Sequence, residues 1–173
     1  MMNYEIRPAR PVDLPYLGPI ELAAAQLLAG HAPASVLNET TNEAELLEAQ
    51  RQGLLWVAVA DNVPVGFAHL KFLEPGTVHL AEIDVHPDHG RRGIGTQLLR
   101  AVCDWCATNG CRYVTLTTFR EVRWNMPFYA RFGFEAIPSA GLTPALLSII
   151  VDEARRGLDT DRRVAMRFDL SRT

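Results

Sequence analysis

The sequence predicts one mixed α/β domain spanning residues 1–173, with a mixed central sheet of about seven strands flanked by helices. Three observations carry this. Apolar residues alternate in segments such as "TVHLAEIDV" and recur every three to four residues in segments such as "IGTQLLRAVCDWC", the periods of strand and helix. A glycine-rich turn, "HPDHGRRGIG", joins that strand to that helix, and another strand-like run follows, which makes a βαβ unit with parallel pairing. Finally, 173 residues at 48% hydrophobic content suffice for one well-buried core and are short for two.

Taken in order, "YEIRPA" reads as a first strand, and Asp13 is placed to cap a helix through "LPYLGPIELAAAQLLAG", which Gly18 and Pro19 are expected to kink or divide. "HAPASVLNETT" is polar and irregular, suited to a loop covering a substrate, and "NEAELLEAQRQG" is a short helix stopped at Gly53. "LLWVAVA" and "VGFAHLKFLE" are rich in β-branched and aromatic residues, and the turn residues "DNVP" join them as a hairpin. After "EPG" comes "TVHLAEIDV", with His79, Ala81, Ile83 and Val85 on one face and Val78, Leu80, Glu82 and Asp84 on the other. Neither face is uniformly apolar, as expected of a central strand that ends at a functional edge. From Gly93 the spacing of Ile94, Leu98, Val102 and Cys106 defines a helix that Asn109 and Gly110 stop. "CRYVTLTTF" is a strand, "NMPFYARFG" a short helix, "FEAIP" a strand, "TPALLSIIVDEARRG" a helix and "RRVAMRFDL" a last strand.

Composition narrows the function. A net charge of -3, with basic and acidic residues spread along the chain, leaves no electrostatic footprint for nucleic acid or an anionic membrane. The longest apolar runs, "LLWVAVA" and "ALLSIIV", fall far short of the roughly 20 residues that span a bilayer. With no secretory signal pattern at "MMNYEIRPARPVDL", a cytoplasmic protein is expected. Cys103 and Cys106 have C-x-x-C spacing, but they lie in a helical pattern with only Cys111 following, so small buried side chains are expected and no metal site.

The glycine-rich junction carries the chemistry. A helix N-terminus offers N–H groups without intrahelical partners and a partial positive charge, an arrangement that attracts phosphate. Gly90, Gly93 and Gly95 permit close backbone approach, and Arg91 and Arg92 add side-chain charge. The dinucleotide fingerprint G-x-G-x-x-G is reversed here to "GRRGIG", and the P-loop lysine is missing from "GRRGIGTQ".

What remains, x-x-x-G-x-G after a strand ending, resembles the acetyl-CoA diphosphate loop of the GCN5-related N-acetyltransferase superfamily. "NMPFYARFGF" resembles that family's second signature, and "RRVAMRFDL" its terminal strand. Gly90 departs from the pattern, since Gln or Arg is usual there, and one side-chain contact to the cofactor is thereby lost. The resemblance implies a parallel strand pair that splays apart, and acetyl-CoA as co-substrate, held by Gly90, Arg91, Arg92, Gly93, Ile94, Gly95 and Thr96. It further implies that Ile83 and Val85 face the pantetheine, that the Val85 N–H polarises the thioester carbonyl, and that Asn125 bonds the pantetheine or the nucleotide end. Charge developing on that carbonyl oxygen in acyl transfer requires such a fixed donor.

By the same resemblance Tyr129 is the general acid for the leaving thiolate. The base that takes the amine proton is expected at His79 or Glu82, with Asp84 a further candidate, while the neighbouring strand has Thr117 and Thr118 where other members place a glutamate. Direct attack by a primary amine in a ternary complex is favoured over an acetyl-cysteine route through Cys103, Cys106 or Cys111. The implied activity is acetyl transfer from acetyl-CoA to a small-molecule or peptide amine. The alternative is a non-catalytic acetyl-CoA sensor or docking module. A homodimer would use the last strands or the helix at 143–157.

Overall fold

The computed structural model describes residues 3–172. Seven strands pair into one mixed sheet in the order β1-β2-β3-β4-β5-β7-β6. They are β1 Glu5–Pro8, β2 Leu55–Ala60, β3 Val63–Glu74, β4 Thr77–Val85, β5 Tyr113–Phe119, β6 Glu135–Ala136 and β7 Arg163–Asp169. The helices are α1 Leu14–Ala25, α2 Ala34–Leu37, α3 Glu43–Arg51, α4 Ile94–Thr108, α5 Met126–Phe132 and α6 Pro144–Arg155. The chain forms two compact units, Met1–Lys71 with Leu80–Trp105 and Phe72–His79 with Cys106–Thr173, so β3 and β4 each run from one unit into the other.

In the first unit β1, β2 and β3 form an antiparallel meander. Asp61 and Asn62 both take positive φ, 48° and 67°, which closes a two-residue hairpin whose first pair is Ala60 with Val63. The turn is therefore tighter than "DNVP" suggests, and Pro64 falls inside β3 opposite Val59, where the register shifts. Gly66, paired with Ala58, has no side chain for a reason visible in β4: a Cβ there would stand 2.9 Å from the Asp84 carbonyl oxygen and 3.2 Å from Val85 Cγ2. The His86 N–H donates to the Val65 carbonyl at 2.8 Å, so β3 holds the end of β4 beside this close approach.

Helix α4 follows the expected period, burying Ile94, Leu98, Val102 and Cys106 while Gln97, Arg100 and Asp104 stay exposed. Each fully buried leucine on that stripe is worth about 2–3 kcal/mol of apolar transfer. Two expectations for the N-terminal helix need correction. Asp13 does not cap α1: its carboxylate accepts Arg7 Nη1 at 2.6 Å, Arg7 Nη2 at 3.0 Å and the Arg10 N–H at 2.7 Å, which closes the 3-10 turn Pro11–Asp13 ahead of the helix. Pro19 does not divide α1 either, because the helix continues past it to Ala25 and only then tightens into a 3-10 turn. Helix α3 starts as expected, with Asn42 Oδ1 accepting the Ala44 N–H at 2.8 Å.

In the second unit β4 and β5 pair in parallel over Thr77 with Tyr113, Val78 with Val114 and His79 with Thr115. The ladder stops there, although β4 runs on to Val85 and β5 to Phe119. Strand β5 pairs antiparallel with β7 along its whole length. Strand β6 is shorter than "FEAIP" suggests, two residues, because Pro138 supplies no N–H to extend the ladder beyond Ile137, whose N–H still reaches the Ala165 carbonyl. Thr143 caps α6 by accepting the Leu146 N–H, and Val114, Leu116, Leu146 and Met166 fill the core of this unit.

Candidate active site

In the first unit the segment after β4 forms the glycine-rich junction at which the sequence predicts an anion site. A 3-10 turn, Pro87–His89, leads through Gly90, Arg91, Arg92 and Gly93 into the N-terminus of α4. Gly93 takes φ +79° and Arg91 φ +58°, so a non-glycine residue here sits in the left-handed region. A Cβ on Gly93 would meet nothing within 4 Å, and Arg91, Arg92 and Gly93 are all exposed. An open, positively charged loop feeding a helix N-terminus fits a diphosphate. Ile94, by contrast, is 1% exposed and belongs to the core, while Gly95 and Thr96 keep partial exposure in the first turn.

Beside the loop, Glu82, Ile83, Asp84 and Val85 all retain partial exposure at the end of β4. Glu82 and Asp84 share one face, and the two carboxyls are hydrogen-bonded to each other. Burial first, then the charges of Glu82 and Glu21 and the hydrogen bond to Glu82, hold the Asp84 carboxyl well above the usual carboxylate range. Glu21, from α1, is itself buried and accepts both the Thr41 N–H at 2.8 Å and the Thr41 hydroxyl at 3.0 Å. That pair fixes the polar segment between α2 and α3 to α1. Glu21 escaped the sequence reading because it lies in an otherwise apolar helical run; a lone carboxylate in "GPIELAAA" was the available signal.

In the second unit His79 is 4% exposed, and its Nδ1 lies 3.0 Å from the Thr115 hydroxyl. Tyr129 lies in α5, nearly buried, with its ring edge-on to Phe128 and Phe134 at centroid distances of 5.1 and 5.8 Å. Asn125 precedes α5 without capping it: its Oδ1 accepts the Thr118 hydroxyl at 2.5 Å. Thr117 hydrogen-bonds Glu153 of α6, which also pairs with Arg163 at 2.9 Å, so a glutamate from the helix before β7 reaches the β5 threonine. The Arg163 guanidinium lies 4.6 Å over the Phe119 ring, which packs Phe119 inside, whereas Trp124 is about half exposed. Cys103 and Cys106 are buried in α4, and burial, with the charge of Asp104, pushes the Cys103 thiol up to about 12, a poor nucleophile. Among the described residues no group of three or more His, Cys, Asp or Glu side chains is arranged to hold a metal ion, and no helix is long and apolar enough to cross a membrane.

A seven-stranded mixed sheet with one parallel pair, and a glycine-rich loop opening α4, is the architecture of an N-acetyltransferase fold. Solved structures with this fold align with nearly the whole chain. PaiA N-acetyltransferase from Thermoplasma acidophilum, in complex with coenzyme A, aligns with a TM-score of 0.76 at 19% identity, covering 97% of this chain and 99% of its own. The ribosomal-protein-S18-alanine N-acetyltransferase from Escherichia coli aligns at 0.64 and 19% identity, covering 97% and 94%. A GNAT-family acetyltransferase from Staphylococcus aureus aligns at 0.70 and 17% identity, covering 97% and 99%. Residues 24–134 match the profile of the acetyltransferase (GNAT) family, well over half the chain, and the chain belongs to that family. Its chemical class is acyl transfer.

Proposed function

We propose that this protein is a single-domain, cytoplasmic N-acetyltransferase that moves acetyl from acetyl-CoA to a primary amine by direct attack in a ternary complex. The observation that carries the reading is the junction at Arg91–Gly93: left-handed backbone at Arg91 and at Gly93 on either side of Arg92, two exposed guanidiniums and the start of a 15-residue helix, in a chain of the GNAT family. Arg91, Arg92, Gly93 and the first turn of α4 hold the diphosphate, and Gly90 contributes backbone only. Ile83 and Val85 flank the pantetheine, and the Val85 N–H donates to the thioester carbonyl. Asn125 assists in holding the cofactor.

In this reading Glu82 takes a proton of the acceptor ammonium, and the neighbouring Asp84 carboxyl, hydrogen-bonded to it, orients it. The amine nitrogen then forms a bond to the acetyl carbon as the carbon–sulfur bond breaks. Tyr129 gives its phenolic proton to the departing thiolate, and the nitrogen sheds its second proton as the amide forms, which restores the phenol through solvent. His79 is assigned a structural role, because it is buried on the opposite face of β4 from Glu82 and bound to Thr115. The inert Cys103 thiol argues against an acetyl-cysteine route.

Thermal unfolding with acetyl-CoA, CoA, ATP and NAD in parallel tests the ligand assignment. A ligand at 100 times its Kd adds about 2.7 kcal/mol to stability. Stabilisation by the two CoA species alone is expected; a response to ATP or NAD, or to none of the four, would refute it.

A further inference from the structure

The diphosphate loop is fastened to the start of the chain by a residue that the catalytic scheme does not use. The Tyr4 hydroxyl, just ahead of β1, accepts Arg92 Nη1 at 2.9 Å and lies 3.3 Å from His89 Nδ1. The Tyr4 and His89 rings meet edge-to-face at 6.0 Å, and the His89 N–H donates to the His86 carbonyl at 2.8 Å. Tyr4 thus bridges residues 89 and 92, one on each side of the left-handed Arg91. A non-glycine residue in that region costs on the order of 1 kcal/mol and persists only where its surroundings over-determine it. An exposed arginine also carries about 2 kcal/mol of rotamer entropy, part of which it must give up to bind a phosphate.

We propose that Tyr4 is a positioning residue for Arg92, holding the guanidinium and the Arg91 backbone in the conformation that receives the diphosphate of a coenzyme A thioester. The inference rests on the ligand reading above. The steadying contact reaches Arg92 from 88 residues away in sequence.

Calorimetric affinities for CoA and for pantetheine, which lacks the diphosphate, test it in the wild-type protein and in Tyr4→Phe, Arg92→Ala and the double variant. Tyr4→Phe is expected to weaken CoA about three- to ten-fold and leave pantetheine unchanged, with no further loss when added to Arg92→Ala. Unchanged CoA affinity, equal losses for both ligands, or additive losses in the double variant would overturn it. NMR relaxation of Arg92 Nε in the free protein separates the clamp from the ligand reading: Tyr4→Phe is expected to raise its mobility, and unchanged mobility overturns the clamp. If the wild-type protein fails to bind CoA while Arg92 still loosens, the ligand reading fails, and with it the role toward the diphosphate.

Discussion

His79 and Thr115 form the last pair of the β4–β5 ladder, and their side chains are joined there, Nδ1 to hydroxyl, at 3.0 Å. An imidazole that is 4% exposed and engaged in this way is a packing element of the sheet. Removing it strands a buried hydroxyl, at a cost of about 1–3 kcal/mol. His79→Ala is therefore expected to lower the melting temperature while preserving the rise of turnover with pH. Glu82→Gln should abolish that rise with little loss of stability. The two pH–rate profiles, taken with melting curves, check both assignments.

Tyr129→Phe keeps the ring contacts with Phe128 and Phe134 and removes only the hydroxyl. Loss of a general acid typically costs about 10²- to 10⁴-fold in rate. Turnover should fall by that order, while the Kd for acetyl-CoA changes by less than about two-fold. Equal losses in both would identify Tyr129 as a packing residue instead.

Gly66→Ala places a methyl group 2.9 Å from the Asp84 carbonyl oxygen, a backbone atom that moves only if β4 moves. Overpacking of this kind costs about 1–3 kcal/mol. Because the displaced residues are Asp84 and Val85, kcat should fall more than CoA affinity does. Steady-state kinetics on the folded variant, alongside denaturant unfolding, read out both effects.

His69, on β3, is 2% exposed; burial, reinforced by the Lys71 charge and opposed by Glu45, lowers its pKa to about 4. The unfolded chain binds this proton near pH 6.5 and the folded one does not, so stability is intact above 6.5 and declines as pH falls toward 4. The full effect is on the order of 3 kcal/mol. Relative to His69→Leu, the wild-type protein should lose unfolding free energy as pH falls through this interval, because the variant lacks the titration; a difference between the two that does not change with pH would contradict it.

Most of the architecture was legible in the sequence because it rests on period and punctuation. The stripe from Ile94 to Cys106 and the helix-stopping glycines at 53 and 110, both at positive φ, are local signals, and the structure uses them as read. What escaped depends on side-chain partners that period and punctuation do not reveal, near or far in sequence. Asp13 looks like a cap until Arg7 and Arg10 claim its carboxylate. His79 and Glu82, three residues apart, look alike as candidate bases in the sequence, and only the sheet gives them different surroundings, one buried against Thr115 and the other partly exposed beside Asp84. Pairings over 36 or 88 residues, His79 with Thr115 and Tyr4 with Arg92, leave no periodic trace in the chain.

The central claim, acetyl transfer by direct attack, is tested most directly by incubating the protein with acetyl-labelled acetyl-CoA and a panel of primary amines, then separating protein from small molecules. The account predicts label on at least one amine, stoichiometric release of free CoA thiol, no label retained on the protein, and near-loss of transfer in Tyr129→Phe. CoA binding without transfer to any amine, and indifference to Tyr129, would contradict it and identify a non-catalytic acetyl-CoA sensor.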